Sequence, residues 1–368
     1  MANLVLRDIW KSFDGEPALQ GISFECRDGE MFCLLGPSGA GKTSTIRVIA
    51  GLEQPNKGEI FLDGQAITHM FPQKRNMATA FESYALYPHL TVFDNIAFPL
   101  RAPIRAGEFS AAGLDSRVKE VAAMLNIGEL LGRYPKELSG GQRQRVALGR
   151  ALVRRPKVYL LDEPIAHLDA KLRHRMRGEL RKIQTELGIT TIYATPDQLE
   201  ALSMADTVAV INKGKLEQIG APDEIYNSPA NVFVGQFVGD PPMNILTCRI
   251  RANAVVVVET ETAFVIPLLP AAQSLLANKV NQEEVKVGIR PKDIELMAES
   301  AGDFHIRGQV KEIDTLGQTT VATVGIGSTE IKVKVATRAA PARHSNVGLR
   351  FDNSRFHYFE AATERRIE

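Results

Sequence analysis

The stretch Gly36-Pro37-Ser38-Gly39-Ala40-Gly41-Lys42-Thr43 decides the reading of this chain. Its spacing, G-x-x-x-x-G-K-T, is that of a phosphate-binding loop. The apolar run Met31 to Leu35 before it predicts a buried strand, and Thr43 to Leu52 after it carries Ile46, Ile49 and Ala50 at helical spacing. Strand, glycine-rich loop and helix is the context such a loop needs. Glycines let successive N–H groups turn inward on a phosphate, and the helix N-terminus adds the positive end of its dipole. Lys42 is placed to neutralise β- and γ-phosphates, the Thr43 hydroxyl to ligate magnesium, and Ser44 lies beside it at the helix start. A nucleoside triphosphate is the expected ligand.

Working outward, Val158 to Leu161 is an apolar strand that ends in two adjacent carboxylates, Asp162 and Glu163. At the carboxyl end of a sheet these can face a phosphate site. Asp162 suits a magnesium ion, directly or through water, and Glu163 suits polarisation of an attacking water. Leu138-Ser139-Gly140-Gly141-Gln142 opens a predicted helix, Gln142 to Val153, and is either a second anion site at a helix N-terminus or an ordinary N-cap with flexible glycines. Phe13 stands 29 residues before Lys42 in a turn, where it is either an adenine platform or a small anchor at a strand end.

The rest of the chain frames these motifs. Residues 3–35 read as β-structure, and 59–67 as a hairpin around Asp63-Gly64. Val92 to Leu131 reads as helical with a break near Ala106 to Gly113, Ala170 to Leu187 as a charged helix, and Thr190 to Ala194 as a buried strand. Alternating strands and helices argue for a largely parallel sheet covered on both faces. Composition changes at Gly239-Asp240-Pro241-Pro242, and short alternating β-stretches come after it, as in a small β-barrel. Two domains are expected, 1–236 and 237–368, the first with a helical subdomain over about 82–153.

With 368 residues there is length for two or three cores, and 44% hydrophobic and 24% charged residues are ordinary for a globular protein. A net charge of +1 gives no electrostatic pull toward nucleic acid or an anionic membrane. Cys26, Cys33 and Cys248 are odd in number and lack metal spacing, so reduced, cytosolic thiols are expected. The N-terminus lacks the apolar core of a signal peptide, and no window approaches 18 apolar residues, so any membrane role must come through a partner.

Taken together the motifs resemble the ATPase subunit of an ATP-binding-cassette transporter: Gly36–Thr43 as Walker A, Leu138–Gln142 as signature, Val158–Glu163 as Walker B and Leu168-Asp169 as D-loop. Within that family they are similar to the maltose-transporter type of importer ATPase, through Ser83-Tyr84-Ala85-Leu86-Tyr87-Pro88-His89, Leu168–Arg173, Met204-Ala205-Asp206 and Gly239–Asn244. In the tail, Gly288-Ile289-Arg290-Pro291 and Phe359–Thr363 resemble that family's paired oligonucleotide-fold (TOBE-like) regulatory domain. The resemblance implies an α/β P-loop NTPase fold with an antiparallel β subdomain and a helical subdomain, followed by an all-β OB-like barrel. It implies ATP and Mg2+ as cofactors and two ATPase subunits that sandwich two nucleotides. Each nucleotide would lie between one subunit's Walker A, with Phe13 on the adenine, and the other's Ser139, Gly140, Gly141, Gln142 and Asp169. It further implies two membrane-spanning permease subunits docking near Tyr84 to His89, an extracytoplasmic solute-binding protein beyond them, and a peripheral position on the cytoplasmic side of a bacterial-type inner membrane.

Two positions depart from the family pattern. Glu82 stands where a magnesium-ligating Gln is usual, and Pro196 where a His donates to the γ-phosphate. Proline has no side-chain donor and no N–H. The helix after it is nonetheless expected to form, with Thr195 as N-cap and a Thr-x-x-Gln capping box closed by Gln198. The D-loop also departs at Ala166-His167. These departures favour a slow or degenerate site on this chain, within a heterodimer of ATPases rather than a homodimer. The alternatives are a soluble cassette ATPase acting on nucleic acid or ribosomes, which near-neutral charge opposes, and a non-hydrolysing regulatory subunit, which Glu163 opposes.

Overall fold

The computed structural model describes residues 2–80, 86–103, 107, 109–251, 254–257, 264–276 and 284–368. It divides into two compact units, Met1–Pro222 and Asp223–Glu368.

The first unit begins with two antiparallel strands, β1 (Leu4–Phe13) and β2 (Glu16–Cys26), then β3 (Met31–Leu35), α1 (Lys42–Ala50), β4 (Lys57–Leu62), β5 (Gln65–Ala66) and β6 (Met77–Ala80). Helices α2 (Val92–Ala97), α3 (Ala111–Met124) and α4 (Gly140–Leu152) come next. The unit then runs through β7 (Val158–Asp162), α5 (Ala170–Leu187), β8 (Thr190–Thr195), α6 (Gln198–Met204), β9 (Thr207–Asn212) and β10 (Lys215–Gly220). One sheet is antiparallel, in the order β2-β1-β4-β5, and the other has six strands in the order β10-β9-β3-β8-β7-β6. The larger sheet is parallel from β9 to β6, with β10 antiparallel at its edge. Every residue of β3 and β7 is buried, which is why they read as unbroken apolar runs rather than alternating ones.

Helix α1 belongs to the core that both sheets share, where Ile46, Val48 and Ile49 join Leu6, Ile22, Leu34, Leu160 and Ile192. Phe24 of β2 stacks on Phe32 of β3, with ring centroids 4.5 Å apart, and ties the two sheets together. The C-terminus of α1 is held by Arg75, which is 1% exposed and donates to the carbonyls of Val48 at 2.9 Å and Ile49 at 2.7 Å. The same guanidinium reaches the carbonyls of Thr68 and Met70. It thus satisfies carbonyls that a helix end leaves open and places a cation at the negative end of the dipole. Gly51 makes room for it, since a Cβ there would lie 2.6 Å from Arg75 Nε.

The stretch from Val92 to Leu131 is less continuous than its periodicity predicts. Phe98-Pro99 ends α2 in a tight 3₁₀ turn, and α3 starts only at Ala111, with Ser110 as its N-cap. It stops before Asn126, whose φ of 51° leaves the helical region.

The second unit contains α7 (Pro222–Asn227), α8 (Val232–Phe237), β11 (Asn244–Arg251), β12 (Ala254–Val257), β13 (Val265–Pro267) and α9 (Pro270–Leu276). After β14 (Val285–Ile289) come β15 (Ile294–Ala298), β16 (Ile306–Leu316), β17 (Thr319–Ile326), β18 (Thr329–Ala336), β19 (Asn346–Phe351) and β20 (His357–Glu360). These strands form two antiparallel five-stranded sheets, β13-β12-β11-β14-β20 and β15-β19-β16-β17-β18, over one apolar core. The division falls at Pro222, ahead of the expected 236/237 boundary. Arg290, next to β14, donates to the carbonyls of Tyr226 and Gly235 and so fastens the segment before Gly239 to the β-rich unit.

Candidate functional site

The six-stranded sheet brings the candidate residues to its carboxyl edge, as open parallel sheets do. Leu35 pairs with Thr195, Asp162 with Ala194 and Ala80 with Leu161, so β3, β8, β7 and β6 end side by side. These four strands lead, in that order, into the Gly36–Thr43 loop, Pro196, Glu163 and the segment 81–85.

Backbone requirements fix the loop. A Cβ on Gly36 would lie 2.2 Å from the carbonyl oxygen of Ile211 in β9, so only glycine lets the chain leave β3 there. Gly39 and Gly41 have φ of 78° and 110°, and Gly41, the N-cap of α1, leaves that helix start without a side-chain hydrogen bond. Ser38, Gly39 and Thr43 are exposed, Pro37 and Ser44 half-buried, and Ala40 buried. Lys42 is 4% exposed. Its Nζ donates to the carbonyls of Gly36 at 2.8 Å and Pro37 at 3.1 Å and lies 3.6 Å from Glu163 Oε1. Lysine and general-base candidate therefore lie side by side at the loop.

Asp162 is buried at the last position of β7. Glu163 comes next with φ 49°, a left-handed conformation uncommon for a non-glycine residue, and its N–H donates to Ala194 O at 2.9 Å. Ser139 caps α4: its Oγ accepts from Gln142 N at 3.3 Å while Gln142 Oε1 accepts from Ser139 N at 2.8 Å. Helix α4 starts at Gly140, two residues before the predicted start, because this reciprocal pair pulls both glycines into its first turn. Among the described residues no hydrogen bond joins Ser139–Gln142 to Gly36–Ser44; Gly141 lies against Leu168, whose Cδ2 would be 3.0 Å from an added Cβ. Asp169 is the N-cap of α5, accepting from Leu172 N at 2.9 Å. Phe13, at the end of β1, is 37% exposed, with Lys11 Nζ 4.8 Å from its ring centre. Glu82 and Tyr84 lie outside the described residues; beyond them, Tyr87 packs on Phe98 with centroids 4.4 Å apart.

The helix after Pro196 is capped differently from the expectation. Asp197, not Thr195, is the N-cap, accepting from Leu199 N at 2.8 Å and Glu200 N at 3.4 Å, and Pro196 stays outside the helix. The Thr195 hydroxyl is committed elsewhere, donating to Glu200 Oε2 at 2.7 Å, an oxygen that Tyr193 also reaches at 2.8 Å. Burial pushes the Glu200 carboxyl up, opposed by these two hydrogen bonds.

Two further residues organise the edge. Arg173 donates to the carbonyls of Ala166 and Leu168, both at 3.1 Å, and pairs with Asp197 at 3.5 Å. Gln144, buried in α4, donates to Pro164 O. Together they fasten the segment after Glu163 to α5, α6 and α4. Arg173 gives only a weak signal in sequence, a basic residue four positions after the cap Asp169, and Gln144 gives none.

Comparison with known proteins places this site in a family. A family model described as ABC transporter matches residues 19–166, one described as MalK OB fold domain matches 239–294, and a TOBE domain model matches 287–359. The trehalose/maltose import ATP-binding protein MalK of Thermococcus litoralis is 43% identical over the whole of both chains. The sn-glycerol-3-phosphate import ATP-binding protein UgpC of Rhodopseudomonas palustris is 41% identical, and the multiple sugar-binding transport ATP-binding protein MsmK of Streptococcus mutans 38%, again over both full lengths. Among solved structures, a dimeric ATP-binding cassette in a post-hydrolysis state with ADP and Pi superposes with a TM-score of 0.55 at 27% identity, covering 60% of this chain and 98% of that one. The chain belongs to the ATP-binding-cassette transporter ATPases, a family that binds ATP, in the group whose cassette is joined to a MalK-type OB fold and a TOBE domain.

Proposed function

We propose that this chain is the ATP-binding subunit of an importer for a carbohydrate-like solute, a sugar, polyol or glycerol phosphate. The observation that carries the reading is the convergence of the Gly36–Thr43 loop, Asp162 and Glu163 on one sheet edge, in a chain that aligns end to end with import ATPases for such solutes. Lys42 would exchange its loop carbonyls and Glu163 for phosphate oxygens, and the uncapped N–H groups of α1 would complete the phosphate cradle. Phe13 would carry the adenine. Mg2+ would be held jointly by the triphosphate, Thr43 and Asp162, with Glu82 a further candidate ligand by its place in the sequence, and would neutralise charge on the phosphates. Glu163, freed from Lys42, would accept a proton from the attacking water.

Ser139 to Gln142 and Asp169 would face the nucleotide of a second ATPase subunit. Two permease subunits would dock near Tyr84 to His89, with a solute-binding protein beyond them, on the cytoplasmic face of the membrane; no described helix is long and apolar enough to cross it. The second unit would act as a regulatory domain. The net charge of +1 does not favour a nucleic-acid partner.

The position after β8 argues that this chain's own site turns over slowly. Pro196 emerges between the loop strand and the Glu163 strand, where a donor to developing charge would stand, and it offers none. One missing donor of this kind costs about 2.7–4 kcal/mol of barrier, roughly 10²–10³ in rate. We therefore favour a heterodimer in which a complete subunit supplies the fast site. The purified chain should bind ATP with slow turnover, and Pro196→His together with Glu82→Gln should raise that turnover at least about tenfold. Fast hydrolysis by the unaltered chain alone, or no gain in the double variant, rejects the degenerate-site reading.

A further inference from the structure

The second unit contains a cavity of about 480 Å³ whose wall carries four cationic side chains, Arg290, Lys292, Arg355 and Arg366. Among the described residues of the wall the one carboxylate is Asp293, and burial pushes it up against the pull of Lys292, Arg355 and Arg290. Among the described residues none of the four cations is ion-paired, and Lys292, Arg355 and Arg366 make no side-chain hydrogen bond. Arg290 is 2% exposed. Its guanidinium donates to the neutral carbonyls of Tyr226, Gly235 and Val238 and lies 4.2 Å from the centre of the Tyr226 ring. Lys292 Nζ is 5.1 Å from the same ring centre. Arg290 Nε and His357 Nδ1 are buried without a partner. Burial, then the adjacent Arg366 and Arg290, push His357 down to about 4, so its ring is neutral at pH 7 and adds no charge.

Such an arrangement concentrates positive charge on one wall. Like charges held together repel one another, and the buried Arg290 guanidinium has neutral carbonyls and a ring as its direct partners, with Asp293 as a counter-charge shared among several cations. An anion would supply what is missing. Arginine forks match phosphate oxygens two at a time, and the excess of cations over Asp293 suits a dianion better than a lone carboxylate. The volume is that of a small-molecule site and exceeds what phosphate alone fills. We propose that this cavity binds a phosphate dianion, free or carried on a small soluble molecule, as an effector site distinct from the nucleotide loop. The charges come from β14's end, the turn before β15, the turn before β20 and the C-terminal segment, so a ligand there would bridge parts of the unit far apart in sequence. The inference does not depend on the transport reading.

The test uses the full-length chain carrying Lys42→Ala, which removes the loop lysine from phosphate binding. Inorganic phosphate and glucose 6-phosphate are titrated separately by calorimetry, with chloride as the monovalent control. One saturable site per chain with a Kd below about 1 mM is expected. Adding Lys292→Ala and Arg355→Ala, both at exposed positions, should weaken binding at least about tenfold, while Arg355→Lys alone, which keeps the charge, should retain most of it. Equal affinity for the two probes identifies phosphate itself as the ligand. Tighter binding of the ester identifies a phosphorylated metabolite. No saturable binding of either, or binding indifferent to the paired substitution, overturns the proposal.

Discussion

Two glycine-rich turns each open a helix in this protein, and they solve the same problem in opposite ways. Helix α1 begins after its N-cap Gly41, which has φ 110° and makes no side-chain cap, so its first N–H groups stay open at the position where a phosphate would sit. Helix α4 begins after its N-cap Ser139 with a closed capping box, so its first N–H groups are partly satisfied by its own side chains. The first loop is built by backbone constraint, with Gly36 pressed against β9 and Lys42 folded onto loop carbonyls. The second is built by side-chain hydrogen bonds between Ser139 and Gln142, with Gly141 packed against Leu168. The first loop is backed by β9 and open in front, as a site proposed to bind its own nucleotide requires. If the second turn meets the nucleotide of another subunit, as proposed, its own capping box already orders the face it would present.

The strongest way to break this contrast is to put a methyl group where only the first loop forbids one. Gly36→Ala would drive a Cβ to 2.2 Å from Ile211 O, a backbone atom that cannot swing aside. A loss of about 3 kcal/mol or more in unfolding free energy is expected, with ATP affinity reduced at least about tenfold. Urea unfolding and titration with a fluorescent ATP analogue read the two effects. Near-native stability and binding would mean that the loop is not held by contact with β9.

A middle-sized effect is expected at the second turn. Ser139→Ala removes the cap oxygen and leaves Gln142 N without its partner. Loss of an N-cap costs about 1 kcal/mol, readable as a shift in the denaturant midpoint at unchanged slope. A change of several kcal/mol would show that α4 depends on that turn as heavily as α1 depends on Gly36, and the contrast would fail.

Much of this architecture is legible in the sequence because it is local. The Gly36–Thr43 spacing, the buried run into it, the carboxylates closing β7 and the helix Ala170–Leu187 each depend on residues near in sequence, and the structure has them at those positions. The misleading signals are those that depend on distant partners. Thr195 looks like the cap of α6, but its hydroxyl is taken by Glu200, which burial and Tyr193 hold inside the fold, and Asp197 takes its place. The composition shift at Gly239 coincides with the start of the OB fold match, while Arg290, more than fifty residues later, holds Tyr226 and Gly235 in the same compact unit, a contact that no local signal announces. The cationic cavity leaves no charge run to find, because Lys292, Arg355 and Arg366 come from turns and a C-terminal segment that only folding brings together.

The smallest expected effect sharpens the contrast most, because it separates folding from function. An added Cβ at Gly140 meets nothing within 4 Å, and the residue has no positive φ to strain. Replacing a helical glycine by alanine therefore should stabilise the chain by about 0.5 kcal/mol, through helix propensity and reduced freedom of the unfolded state. If Ser139 to Gln142 faces the phosphate of a second subunit, the same methyl group would stand between that phosphate and the N–H groups of α4. Gly140→Ala should then raise the denaturant midpoint of the isolated chain while lowering ATP turnover of the assembled two-subunit enzyme. A rise in both would show that the first turn of α4 is only a helix start. At Gly36 no such separation is possible, since there the methyl group strikes the fold before any ligand arrives.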